Sequence, residues 1–170
     1  MSTDHEILFS EKQIQKRIAE LGKQIQLDYK DSKQPLNMIA MLKGSLYFLA
    51  DLSRAINLPL NFDFIAINKL SSKSHSIHVT KDIGIDIKNS NVIVVEEIIR
   101  SGLTTHYMIE HIKKFQPASI KLAALLVNPD QIMIDLPLSY TGFEIDYTRV
   151  IGYGMDYKEE HRSLKHIAKL

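Results

Sequence analysis

Twelve residues, VVEEIIRSGLTT (94–105), carry most of the chemistry on offer. A β-branched apolar run ends in two adjacent carboxylates, Glu96 and Glu97. The chain then bends through Arg100, Ser101 and Gly102 into Leu103, Thr104 and Thr105. Where such a bend opens a helix, free backbone N–H groups and the positive helix end favour an anion. The hydroxyls of Ser101, Thr104 and Thr105 add donors, and Gly102 permits a tight turn and close approach to a ligand. From the loop alone two readings stand: a phosphate cradle, or a helix start that Thr104 or Thr105 merely caps. Two readings also stand for Glu96 and Glu97. They hold Mg²⁺ or sugar hydroxyls, or they are a solvated pair of surface acids. Arg100 is the odd residue, since a phosphate-cradling bend more often places a small or acidic residue there.

Chemistry at this bend needs elements to bring partners to it. Ile14, Ile18, Leu21 and Ile25 recur at helical spacing between Ser10 and Lys30, and Ser10 with Gln13 fits a capping box. LNMIAML (36–42) has strand length and leads through KGS (43–45) into a helical pattern at 46–56. LNFDFIAI (60–67) alternates like a strand, so the order is strand, turn, helix, strand, a βαβ unit that favours a parallel sheet. NVIVV (91–95) reads as a strand buried on both faces. Residues 106–115 read as a helix, SIKLAALLV (119–127) as another buried strand and VIGYGMD (150–156) as a last core strand. Residues 68–82, polar and serine-rich, read as a lid or flexible hairpin. The expected fold is one α/β domain with a mostly parallel sheet. Ligands in such sheets lie beyond the carboxyl ends of the strands, where KGS, EEIIRSGLTT and GYGMDYKEEHR (152–162) should converge.

Composition narrows the field. The chain has 170 residues, 45% of them hydrophobic, a formal net charge of +1 and no cysteine. Thiol catalysis, disulfides and cysteine-ligated zinc are excluded. Near-zero net charge gives no reason to expect nucleic acid or an anionic membrane as partner. The first residues lack the pattern of a signal peptide and no apolar run reaches the roughly 20 residues of a membrane span, so a cytoplasmic protein is expected. The histidines, including the pairs His75/His78, His106/His111 and His161/His166, read as solvated surface residues.

The strand with EEIIRSGLTT resembles the phosphoribosyl-pyrophosphate motif of the type I phosphoribosyltransferases, and most of all the hypoxanthine-guanine phosphoribosyltransferases. MLKGSLYFLADLSRAI (41–56) is similar to that family's Leu-Lys-Gly-Gly loop and following helix. TGFEID (141–146) and VIGYGMDYKEEHRSL (150–164) are similar to its C-terminal signature. The resemblance implies a type I fold, with a core over about 36–156 and a small hood from the terminal segments. It also implies a reaction: a 6-oxopurine joins the ribose of phosphoribosyl pyrophosphate, releasing pyrophosphate, with Mg²⁺ supporting the leaving group. Lys43, Gly44 and Arg162 would bind pyrophosphate, with a cis peptide at Leu42–Lys43. Glu96 and Glu97 would hold ribose hydroxyls and metal, and Asp156 metal or the purine edge. Ser101, Gly102, Leu103, Thr104 and Thr105 would cradle the 5′-phosphate. Asn128, Arg149, Val150 and Asp156 would face the base. A homodimer or homotetramer is expected by analogy.

The sequence departs from that pattern mainly on the base side. Arg100 stands where the family has an acidic residue facing the purine's imidazole ring, Asn128 where it has Lys, and Arg149 where it has an aromatic residue. The lid reads NKLSS in place of a Ser-Tyr pair. Ser45 for Gly and Glu97 for Asp are milder changes. A carboxylate can accept the ring proton that a free 6-oxopurine loses, whereas arginine stays protonated. The reading is therefore a phosphoribosyltransferase homologue that binds GMP or IMP, with reduced turnover. The alternatives are a non-catalytic nucleotide sensor or partner-binding protein on the same fold, or a phosphoribosyltransferase for another base.

Overall fold

Strand β5, Asn91–Ile99, shows how the sequence dictates the layers. Val92, Ile93, Val94 and Val95 are all fully buried. Ile93 and Val95 face one apolar cluster, Val92 and Val94 the other. Period-two alternation of uninterrupted branched side chains requires cover on both faces, and each such burial contributes on the order of 2 kcal/mol. The computed structural model describes residues 5–69, 77–146 and 149–170, with only the backbone at 68, 69 and 77.

The remaining elements in chain order are β1 (Ile7–Phe9), α1 (Glu11–Tyr29), β2 (Leu36–Met41), α2 (Leu46–Ala55), β3 (Leu60–Lys69), β4 (Ile77–Lys81), α3 (Leu103–Lys113), β6 (Ser119–Val127), β7 (Leu138–Glu144), β8 (Val150–Ile151) and β9 (Ile167–Lys169). A six-stranded sheet runs β4-β3-β2-β5-β6-β7. All its pairs are parallel except β3 with the antiparallel edge strand β4. Helices α1 and α2 cover one face through Ile14, Ile18, Leu21, Ile25, Phe48, Leu49 and Leu52, and α3 covers the other through Met108, Ile109 and Ile112. The expected α/β fold with a mostly parallel sheet and a small hood is the fold observed.

Helix α1 begins where the capping box places it. Gln13 N donates to Ser10 Oγ and Ser10 N donates to Gln13 Oε1. At the far edge of the sheet Arg17 of α1 donates to the carbonyls of Thr141 and Gly142 at 2.7 and 2.8 Å. Those acceptors belong to edge strand β7, so the helix satisfies groups that an edge otherwise leaves open.

The hood is a three-stranded antiparallel sheet of order β1-β9-β8. It joins the first described strand to the last, with Ile7 opposite Ala168. Phe9 of β1 stacks on Phe143 of β7, ring centroids 4.1 Å apart, and so pins the hood to the large sheet.

Four sequence expectations change. VIGYGMD is not a core strand: β8 ends at Ile151, because Gly152 and Gly154 take φ values of 93° and 101° that turn the chain. Helix α3 begins at Leu103 rather than 106. Residues 77–81 of the expected lid or flexible hairpin form β4, antiparallel to β3, and β3 itself runs on to Lys69, while 70–76 lie outside the described residues. His111 is not a solvated surface residue. Its ring nitrogen Nε2 lies 2.8 Å from Asp82 Oδ1 with its side chain 16% exposed.

Candidate active site

The sheet reverses direction of winding between β2 and β5. From β2 the chain moves outward to β3 and β4; from β5 it moves the other way to β6 and β7. The loops leaving these two strands go to opposite faces, α2 on one and α3 on the other. A crevice at the carboxyl ends is the consequence, and the KGS loop and the EEIIRSGLTT loop stand on its two sides.

Glu97 and Gly44 meet across it. A side chain on Gly44 would fall 2.2 Å from Glu97 Oε1, so the carboxylate uses the space that glycine leaves. The third segment closes from the hood. A Cβ on Gly154 would lie 1.9 Å from the Gly44 carbonyl oxygen, which places the two backbones in contact. The peptide between Leu42 and Lys43 is cis, as the resemblance implied, and the Ser45 hydroxyl donates to the Met41 carbonyl.

The two acids are not a solvated pair. Glu96 is 1% exposed. Its Oε1 accepts from Thr105 Oγ1 at 3.0 Å, and its Oε2 has no partner among the described residues. Glu97 Oε2 is likewise buried without a partner. Burial, and then the charge of Glu97, push the Glu96 carboxyl well above the usual range. Burial pushes Glu97 up to about 7, against the pull of the Arg162 and Arg100 charges. Orphaned buried oxygens of this kind suit a hard cation bound through oxygen. Among the described residues no three acidic or imidazole groups cluster to hold a metal by themselves. Asp156 stands on the hood side, its Oδ1 2.7 Å from Arg162. Mg²⁺ typically takes one or two carboxylates and completes its shell with water and substrate oxygens, and this donor set fits it on those terms.

Beside the acids, Met41, Glu96, Glu97, Ile98, Arg100, Ser101, Gly102, Thr104 and Thr105 line a cleft of about 250 Å³. Two larger hollows, of about 510 and 600 Å³, lie against α3 and beside β1 and bring no buried carboxylates together. In the cleft Gly102, at φ 78°, is the residue before α3, and no side chain caps the helix. The capping reading of Thr104 and Thr105 therefore does not hold. The first helical bond is His106 N to Gly102 O at 2.8 Å, so among the described residues the N–H groups of Leu103, Thr104 and Thr105 have no backbone acceptor and are open to an anion. Arg100 is exposed at the mouth of the cleft.

Lys43 and Arg162 come together from opposite ends of the chain. Arg162 donates from Nη1 to the Gly154 carbonyl at 2.8 Å, and its Nη2 approaches Asp156. Lys43 Nζ donates to Glu159 Oε2 at 2.9 Å, and the same oxygen lies 3.4 Å from Arg162 Nη2. Glu159 lies in the segment 152–162 expected to converge here, but no role was read for it from the sequence. Its signal was an acid three residues before an arginine already assigned to an anion.

The expected base-side residues divide between two elements. Asn128, 2% exposed, follows β6, and its N–H bonds the Ile99 carbonyl at 2.9 Å, beside Arg100. Its Oδ1 is buried without a partner among the described residues. Arg149 is exposed just before β8, and Val150 in β8 is buried.

Comparison with known proteins bears on this crevice. Residues 5–158 match the phosphoribosyl transferase domain family. The chain belongs to the phosphoribosyltransferase family. It is 38% identical to the hypoxanthine-guanine phosphoribosyltransferase of Mycobacterium tuberculosis, over 96% of this chain and 85% of that one. It is 36% identical to the hypoxanthine phosphoribosyltransferase of Haemophilus influenzae, over 97% of this chain and 94% of the relative. Among solved structures, a hypoxanthine-guanine phosphoribosyltransferase of Bacillus anthracis superposes with a TM-score of 0.91 at 38% identity, covering 97% of this chain and 98% of that one. This phosphoribosyltransferase homologue therefore shares both sequence and fold with its relatives over nearly its whole length. Among its described residues no helix is long and apolar enough to cross a membrane.

Proposed function

We propose that the protein is a purine phosphoribosyltransferase of the hypoxanthine-guanine type that serves purine salvage, with a base side altered to favour the nucleotide. One observation carries the reading. Two buried carboxylates with unpartnered oxygens and an anion-ready helix start line one cleft, with Gly44 against the second carboxylate.

In this reading the N–H groups from Leu103 to Thr105, with Ser101 and Gly102, hold the 5′-phosphate. Thr105 spends its hydroxyl on Glu96, so its contribution to the phosphate is its backbone. Glu96 and Glu97 orient the ribose hydroxyls and, with Asp156, hold Mg²⁺. The ion, when bound, offsets the negative charge that builds on the leaving pyrophosphate. Lys43, Gly44 and Arg162 bind the pyrophosphate. The cleft, rather than covalent chemistry by the protein, aligns the ribose carbon with the incoming base.

Asn128, Arg149, Val150 and Asp156 frame the base. Arg100 cannot take the purine's ring proton. In the finished nucleotide, however, that ring nitrogen and the 6-oxo oxygen are both acceptors, the pair that arginine contacts bidentately on guanine. Arg149 can lay its flat guanidinium on the base. Loss of a general base typically costs roughly 10²–10⁴-fold, so turnover is slow and nucleotide binding is retained.

A turnover screen of nucleobases with phosphoribosyl pyrophosphate and Mg²⁺ tests this. Slow synthesis of IMP or GMP is expected. Rates typical of the relatives remove the claim of impairment. Tight GMP binding in calorimetry with no turnover of any base makes the protein a sensor instead. The unpartnered Oδ1 of Asn128 gives the screen a second purpose. An acceptor there can pair with an exocyclic amine, which a 6-oxopurine lacks at that position, so 6-aminopurines belong in the panel.

A further inference from the structure

The turn at 157–160 aims a carboxylate at both cations assigned above to pyrophosphate. Tyr157 and Glu160 pair across it, N–H to carbonyl in each direction, at 3.2 and 3.0 Å. Between them Lys158 and Glu159 take φ values of 52° and 66°. Two left-handed residues in succession are the geometry of a tight hairpin turn that favours glycine and asparagine, and neither residue is one of these. The tip is fixed from three directions. Glu159 N donates to Asp156 Oδ2 at 2.9 Å, Lys43 Nζ donates to Glu159 Oε2 at 2.9 Å, and Arg162 Nη2 stands 3.4 Å from that same oxygen. One carboxylate oxygen thus sits between an ammonium and a guanidinium that belong to segments far apart in the chain.

An anionic oxygen between these two cations is what a bound diphosphate would supply. We propose that Glu159 is a built-in anion that fills the diphosphate subsite of the free protein and competes with diphosphate for Lys43 and Arg162. It is a positioning residue. Without an anion, two neighbouring cations repel each other, and a tethered carboxylate keeps both in place. It can also leave cleanly. The Glu159 side chain is 66% exposed, so it swings into water without burying a charge, and exposed ion pairs of this kind are weak. Arg162 keeps its bonds to the Gly154 carbonyl and to Asp156 when Glu159 departs, so the guanidinium stays aimed at the subsite.

The inference rests on the diphosphate role given to Lys43 and Arg162 under Proposed function, and the experiment separates the two. The probe is inorganic diphosphate with Mg²⁺, titrated calorimetrically into the full chain, so no turnover is required. Glu159→Gln should bind diphosphate roughly 2- to 5-fold more tightly than the native protein, the range expected for removing one competing exposed carboxylate. Lys43→Ala should weaken binding, and the gain from Glu159→Gln should shrink in that background, since the two residues share one contact. Unchanged or weaker binding in Glu159→Gln overturns the competition, because a carboxylate that merely orders the turn predicts a loss. Native-like binding in both Lys43→Ala and Arg162→Ala overturns the diphosphate reading itself. Product inhibition gives a second readout: diphosphate should inhibit Glu159→Gln at several-fold lower concentration.

Discussion

At the scale of single residues, Arg100 and Glu97 divide the consequences between them. Arg100 is exposed at the cleft, so replacing it perturbs little packing. Arg100→Asp restores a proton acceptor and should raise IMP or GMP synthesis on the order of 10²-fold in steady-state assays. An unchanged rate would place the limitation elsewhere. Glu97 carries a pH dependence. Its carboxyl is raised from 4.5 to about 7, chiefly by burial. The folded protein therefore holds a proton that the unfolded chain has released, and ligand-free stability falls as pH rises between those values. Glu97→Gln should flatten that slope in denaturant titrations across the window. A cation at the site reverses the balance, so Mg²⁺ binding near pH 7 should release protons. Calorimetric enthalpies that vary with the buffer's ionisation enthalpy in the native protein, but much less in Glu97→Gln, would register it. The types and spacing of these residues were legible in the sequence. Their burial was not: adjacent acids at a strand's end look solvated until Gly44 is seen to pack against one of them.

At the scale of elements, legibility followed the length of the repeating pattern. Helix α1 places Ile14, Ile18, Leu21 and Ile25 in the core and has a reciprocal cap, so it was readable to within a residue. Helix α3 was read three residues late because its first turn carries a single apolar residue, Leu103. Leu103 there is 52% exposed, and the buried stripe starts further on. β1 and β9 have three residues each, too few for any period. VIGYGMD misled for the opposite reason. Val150, Ile151, Tyr153 and Met155 are all buried, as in a strand, yet the two glycines between them fold the segment back. That fold is what lets the C-terminal loop touch the KGS loop. Gly154→Ala should break it, since the backbone there has φ 101° and the new Cβ would meet the Gly44 carbonyl. Backbone strain alone costs on the order of 1–3 kcal/mol. Thermal melts of the variant should show the loss, and diphosphate affinity should fall with it.

At the scale of the molecule, the parallel sheet was legible because NVIVV and SIKLAALLV leave no polar face, which requires helices on both sides. The switch between β2 and β5 was not, since strand order depends on which neighbours a strand finds and not on its own residues. The switch decides where the chemistry sits.

The hood has a mechanical consequence. β1 and β9 run antiparallel, with Ile7 beside Ala168 and Lys169 N bonded to the Glu6 carbonyl. A force applied between the two ends of the chain therefore peels this pair open from one side, loading a single rung at a time. In single-molecule pulling, the first event should be a small, low-force release of β9. It should precede rupture of the six-stranded sheet. Because the segment behind β9 carries Arg162 and Asp156, diphosphate with Mg²⁺ should leave that first event unchanged and raise the force of the next, in which this segment comes under load. The grip on the ligand would then be read as the tension at which the chain halts after its last strand has come away.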